Sequence, residues 1–105
     1  MLTDYKKIME QNKITPEKLE KYFSVTSRAL AKVKIAPEQK IDWKAKAEDF
    51  LDMAKRYFDD AKHFKEKGDI VTAFAALNYA HGWLDAGARL GLFDVGHDSE
   101  LFTVD

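Results

Sequence analysis

The feature that most constrains the fold of this chain is an uninterrupted apolar stripe in its middle. Its members recur at alternating steps of four and three residues: Trp43, Ala47, Phe50, Ala54, Tyr57, Ala61 and Phe64. Because an α-helix has about 3.6 residues per turn, this spacing puts these side chains on one side of a helix. Leu51 and Phe58 widen the stripe, which predicts that this helix contacts two neighbouring elements.

Helix-breaking residues are few, and their positions predict three long helices. Thr15–Pro16 predicts a helix start, since threonine is a favourable N-cap and proline is tolerated at the first helical position. Ala36–Pro37 ends this helix, because the residue before a proline avoids the α region. Asp42 is a favourable N-cap for the second helix. Gly68 predicts the end of that helix, and Asp69 is a favourable N-cap for a third helix over residues 70–90. A turn this short predicts that the second and third helices are antiparallel.

The expected fold class is all-α: an antiparallel three-helix bundle. The 105 residues fit one domain, with residues 14–93 as its core. Residues 4–10 have Tyr5, Ile8 and Met9 at helical spacing, which predicts a short lead-in helix. Residues 94–105 contain scattered acidic residues and are predicted to form an extended or disordered tail.

Composition excludes several classes of protein. The chain has no cysteine, which excludes disulfide scaffolds and thiol catalysis and favours a cytoplasmic location. Its longest apolar run, Ala73–Leu77, is far too short to cross a bilayer, and its first residues do not resemble a secretory signal. The net charge of -1 gives no electrostatic reason to expect nucleic-acid binding. The scarcity of amide residues would suit a thermophilic source.

No catalytic, cofactor or metal site is predicted. No serine lies in a glycine-flanked turn, and no glycine-rich phosphate loop is present. Paired carboxylates such as Asp59 and Asp60 are interpreted as solvated charges. His63 and His81 would be offset by about 10 Å along the hairpin, too far to share one metal ion.

A buried polar site is predicted around His81 instead. This histidine falls on the core stripe of the third helix, where its ring would need a hydrogen-bond partner. Asp85 lies one helical turn later, and Tyr57 on the facing helix is a plausible partner.

The third helix carries a second apolar side, opposite the stripe that contains Leu77 and Leu84 when residues are placed at about 100° each. The candidate interaction surface on that side consists of Tyr79, Trp83, Ala86 and Leu90. Exposed apolar patches mark contact surfaces, and Trp and Tyr are favoured at them. Two explanations are open. The side forms the interface of a homodimer or binds an unidentified protein partner, or it is covered by terminal residues that fold back, namely Tyr5, Ile8 and Met9 or Leu92, Phe93 and Phe102.

One string in the third helix carries a family resemblance. Tyr-Ala-His-Gly-Trp-Leu-Asp-Ala-Gly over residues 79–87, followed by Arg-Leu-Gly-Leu-Phe over residues 89–93, resembles an archaeal domain-of-unknown-function family, number three-five-seven. The resemblance extends over roughly residues 14–93. It implies a small three-helix protein of archaeal origin with no assigned activity, cofactor or catalytic residue.

The sequence therefore favours a non-enzymatic protein–protein interaction or scaffold module. The alternative is an RNA-associated protein, since the hairpin is similar in layout to helical nuclease domains of prokaryotic defence systems. Those domains use an arginine followed by a histidine five residues later, whereas Arg56 is followed by Ala61. That departure removes the nuclease motif and leaves at most binding through Lys55, Arg56, Lys62 and Lys65. A single tetratricopeptide-like hairpin is a third hypothesis, and one such unit is too few for a peptide groove.

Overall fold

The computed structural model describes residues 12–103. Within this range it contains three helices and no strand: α1 (Pro16–Lys32), α2 (Trp43–Glu66) and α3 (Ile70–Leu90). The all-α class is confirmed. The lead-in helix predicted for residues 4–10 lies outside the described residues.

The three predicted N-caps begin these helices. The side-chain oxygen of each cap accepts a hydrogen bond from a backbone N–H three residues later, at 3.1 Å for Thr15, 3.0 Å for Asp42 and 3.1 Å for Asp69. Each bond satisfies an N–H that has no partner within its own helix. The starting points of the helices were therefore encoded locally.

Helix ends also follow local sequence, with one difference. α1 ends at Lys32, before the end predicted at Ala36–Pro37, because the backbone of Val33 is already extended, with φ -65° and ψ 137°. Gly68 and Gly91 have φ values of 81° and 89°, a left-handed conformation that glycine adopts at little cost. Gly68 reverses the chain between α2 and α3, and Gly91 ends α3.

The chain divides into two compact units, Met1–Lys40 and Ile41–Asp105. α1 belongs to the first unit and has no buried residue. Its large apolar side chains are exposed, with 65% of Phe23 and 70% of Leu30 accessible to solvent.

The second unit is an antiparallel hairpin in which α2 packs against α3. The antiparallel arrangement predicted from the short turn is confirmed, because a Cβ at Gly91, after α3, would lie 4.0 Å from Cζ2 of Trp43, at the start of α2. The buried residues of the two helices are all small: Ala54, Ala61, Ala80 and Gly87. Small side chains let the two helix backbones approach closely and displace the large side chains to both flanks of the contact line.

The C-terminal segment after Gly91 folds back on α3. Residues 91–103 pass through successive turns, and Leu92 is buried. The Thr103 backbone N–H donates a hydrogen bond of 2.9 Å to Oδ1 of Asp85. The tail that the sequence predicts to be extended or disordered is therefore tied to α3, by a contact between residues eighteen positions apart that local composition does not reveal.

Candidate interaction surface

Four aromatic rings cluster on one flank of the hairpin. Phe50 and Tyr57 come from α2, and Tyr79 and Trp83 come from α3. The ring centroids of Phe50 and Trp83 are 5.0 Å apart and those of Tyr57 and Tyr79 are 4.4 Å apart, both with edge-to-face geometry. Tyr79 and Trp83 continue the cluster at 6.4 Å. We call these four residues the aromatic face.

The aromatic face borders an open depression on the hairpin. Its lining has no charged side chain and consists of Phe50, Asn78, Tyr79, Gly82, Trp83 and Ala86. Tyr79 is 52% exposed, and Trp83 is half-buried. Of the other candidate residues, Ala86 is exposed and Leu90 is 53% exposed. An uncharged, ring-bordered depression of this kind is suited to contact with another apolar surface.

The geometry of this surface differs from the sequence-based expectation in one respect. The second apolar side of α3 was expected to lie away from the neighbouring helices, but Tyr79 and Trp83 contact α2. The reason is that the contact line passes through Ala80 and Gly87. At about 100° per residue, Trp83 and Leu84 then fall on either side of that line, about 100° apart. Both apolar sides therefore flank α2.

The lining of this depression includes none of the C-terminal residues considered as its cover, namely Leu92, Phe93 and Phe102. Phe93 lies against Gly87, and Phe102 stacks on His81 with a centroid distance of 6.3 Å. Tyr5, Ile8 and Met9 lie outside the described residues.

The structure does not bring together the predicted polar site of His81, Asp85 and Tyr57. Among the described residues, no polar or charged residue is buried, and the side chain of His81 is 50% exposed. His81 Nε2 lies 3.5 Å from Oδ1 of Asp85, so these two residues do meet. Tyr57 packs on Tyr79 instead. In place of the expected buried site, an exposed histidine lies beside a half-buried aspartate, because the buried contact of α3 with α2 is at Ala80.

Asp85 has a role that sequence analysis missed. Its Oδ1 accepts the Thr103 backbone N–H at 2.9 Å, and its Oδ2 accepts the Thr103 hydroxyl at 3.3 Å. The carboxylate therefore holds the C-terminal segment against α3. No sequence signal pairs these two residues, because an irregular segment has no register.

Sequence analysis also does not predict the contact between Phe50 and Trp83. For the other contact of the aromatic face, between Tyr57 and Tyr79, the register of the hairpin provides a sequence signal. In a hairpin that turns at residues 68–69, positions equally far from the turn lie level with each other. Tyr57 is eleven residues before Gly68, and Tyr79 is ten residues after Asp69. Applying this register to the aromatic positions would have paired the two tyrosines.

The described residues define an all-α protein built on a helical hairpin with an exposed aromatic surface. A family model described as "Protein of unknown function (DUF357)" matches residues 21–93, and the chain belongs to this family. The predicted family resemblance is confirmed. Comparison with curated proteins and with solved structures found no match.

The described residues contain neither a membrane-spanning helix nor a metal-binding cluster. None of their helices is both long enough and apolar enough to cross a membrane. Within residues 12–103, no group of three or more histidine, aspartate or glutamate side chains is positioned to hold a metal ion.

Proposed function

We propose that this protein is a non-enzymatic interaction module that self-associates through the aromatic face. The observation that carries the proposal is the uncharged depression between the rings of Phe50, Tyr79 and Trp83. Aromatic side chains are enriched at the energetic centres of protein interfaces, since each buries a large area with few rotatable bonds.

A second copy of the chain fits this surface for an electrostatic reason. A two-fold interface places the same patch on both subunits. A charged side chain at the centre of the patch would therefore face the same charged side chain of the other subunit. The depression beside the aromatic face contains none. Two copies can therefore meet there without like-charge repulsion, and the exposed portions of Tyr79 and Leu90 would lose contact with water.

Sedimentation velocity of the full chain over a dilution series tests this proposal. The wild-type protein is expected to form a reversible dimer at micromolar concentration. Ala86→Glu would introduce facing carboxylates at the interface and is expected to give a monomer with unchanged helical circular dichroism. Ala45→Glu, the same change at an exposed position near the start of α2, is expected to stay dimeric.

Ala86→Glu is a cleaner test than Trp83→Ala. Trp83 packs on Phe50 within the hairpin, so its removal lowers stability as well as altering the surface. A wild-type protein that stays monomeric at all concentrations, or an Ala86→Glu variant that still dimerises, would contradict self-association through this face.

RNA association stays a prediction. Of the four basic residues considered for it, Arg56 forms an ion pair with Asp52 at 2.9 Å, which lowers its availability. Filter binding to single-stranded RNA over a range of salt concentrations tests this alternative, because phosphate contacts weaken steeply with salt. A cytoplasmic location, an archaeal origin and a thermophilic source also stay predictions.

A further inference from the structure

The other flank of the hairpin has a different chemistry from the aromatic face. There, Leu51 and Phe58 of α2 face Leu77 and Leu84 of α3 across an open groove, and the groove continues past Phe58 and Leu77 towards Phe74. These side chains keep substantial exposure, with 46% of Phe58, 44% of Leu77 and 64% of Phe74 accessible. The floor of the groove is therefore apolar and open to a ligand.

Three lysines line the α2 side of this groove: Lys55, Lys62 and Lys65. All three are exposed. Lys55 and Lys65 are ten residue steps apart on one helix, which corresponds to a row about 15 Å long. We call this feature the lysine-bordered groove.

Within residues 12–103, none of these three lysines forms an ion pair with an acidic side chain. Among the described residues, the ion pairs are Lys44 with Glu48, Arg56 with Asp52 and His81 with Asp85. Lys62 instead lies over the ring of Phe58, with Nζ 4.6 Å from the ring centroid. That contact holds an ammonium group at the edge of the apolar floor, where an incoming carboxylate could reach it.

On the α3 side the groove has no such row of charge. Among the described residues, His81 is the only titratable residue that lines the groove from α3, and it is paired with Asp85. A ligand lying in the groove would thus meet apolar side chains below it and positive charge along one edge only.

We propose that the lysine-bordered groove binds an amphipathic helix of a partner protein, with an apolar stripe on the floor and acidic residues beside Lys55, Lys62 and Lys65. A helix is the matching shape, since an amphipathic helix laid in an apolar groove is a common mode of recognition. A second copy of the chain is disfavoured here, because a two-fold interface through this groove would bring the lysine rows of both copies into the same contact. The proposal concerns a surface separate from the aromatic face and does not depend on self-association.

The test uses the full chain and two designed peptides, each about 18 residues long so that a helix can form. Both carry leucines at steps of three and four. One has glutamates flanking the leucine stripe, and the other has lysines at the same positions. Fluorescence anisotropy is expected to show that the acidic peptide binds about tenfold or more tightly than the basic one, with a difference that shrinks as salt rises.

Charge reversal locates the binding site. The double variant Lys62→Glu/Lys65→Glu is expected to prefer the basic peptide. The matched variant Lys44→Glu/Lys46→Glu, which reverses two charges of α2 outside the groove lining, is expected to keep the wild-type preference. Ala86→Glu is expected to bind the acidic peptide as the wild type does, so failure of the groove and failure of the aromatic face give different results.

Three outcomes would overturn the proposal. They are equal binding of the two peptides, no binding of either peptide, and self-association of the wild-type chain that the Lys62→Glu/Lys65→Glu variant abolishes. Circular dichroism of each variant verifies that the helices are retained.

Discussion

The ring of Phe93 occupies the space that a side chain at Gly87 would need. A Cβ at this position would lie 2.6 Å from Cδ2 of Phe93, closer than van der Waals contact allows. Gly87 is buried in α3, and Phe93 follows the end of that helix. The absence of a side chain in the helix therefore permits the first residues of the C-terminal segment to pack against it.

Substituting the two glycines inside α3 separates this packing role from helix propensity. Alanine is favoured over glycine in a helix by about 1 kcal/mol. A Cβ at Gly82 would meet nothing within 4 Å, so Gly82→Ala is expected to stabilise the protein. Gly87→Ala must displace Phe93 and is expected to be less stable than Gly82→Ala by about 1 to 3 kcal/mol, the usual cost of overpacking.

Urea denaturation of both variants measures this difference, and propensity cancels in the comparison. Equal free energies of unfolding would show that Phe93 moves away at no cost, which would contradict a packing role for Gly87.

The N-cap of α3 is expected to contribute measurably to stability. Asp69 accepts the Thr72 backbone N–H at 3.1 Å in a partly buried position. Asp69→Ala leaves that donor without its partner and is expected to lower the free energy of unfolding by about 1 kcal/mol, whereas Asp69→Asn keeps a capping oxygen and is expected to lose much less. Thermal denaturation followed by circular dichroism compares the two variants. An alanine variant as stable as the asparagine variant would argue against the cap.

Phe50 and Trp83 are expected to be energetically coupled. A double-mutant cycle to alanine measures their interaction, and edge-to-face pairs contribute about 0.5 to 1.5 kcal/mol beyond the area that they bury. Phe50 paired with Phe74, which borders the opposite flank, serves as the control cycle and is expected to be additive. A coupling energy near zero for Phe50 and Trp83 would contradict the ring contact.

Removal of the Asp85 carboxylate is expected to release the C-terminal segment. Asp85→Ala eliminates both acceptors of Thr103 and should increase hydrogen exchange at the Thr103 amide without melting α3. Asp94→Ala is the matched control, since Asp94 accepts a hydrogen bond from the nearby Gly96 N–H at 3.2 Å, within the C-terminal segment itself. The tether to Asp85 would be refuted by unchanged exchange at Thr103 in the Asp85→Ala variant.

The sequence predicts part of the aromatic face, because periodicity shows which residues share a side of a helix but does not show how α2 packs against α3. Helical periodicity alone predicts that Tyr79 and Trp83 belong to an interaction surface on α3. The same periodicity puts their partners Phe50 and Tyr57 in the core stripe of α2, because angular position on a helix does not show where the contact line with a neighbour runs. It also puts His81 in the core for this reason, although His81 lies exposed beside Asp85.

Local sequence signals are sufficient to place the starts of all three described helices. Caps at Thr15, Asp42 and Asp69 and left-handed glycines act within a few residues, so their effects can be recognised without knowing the rest of the fold. Which side of α2 and of α3 is covered depends on how the two helices pack against each other. Burial depends on the distance of closest approach between two backbones, and in the hairpin that distance is set jointly by Ala54, Ala61, Ala80 and Gly87. Because the two backbones lie close together, the large apolar side chains lie on the two flanks of the hairpin. One flank carries the uncharged aromatic face, and the other carries the lysine-bordered groove.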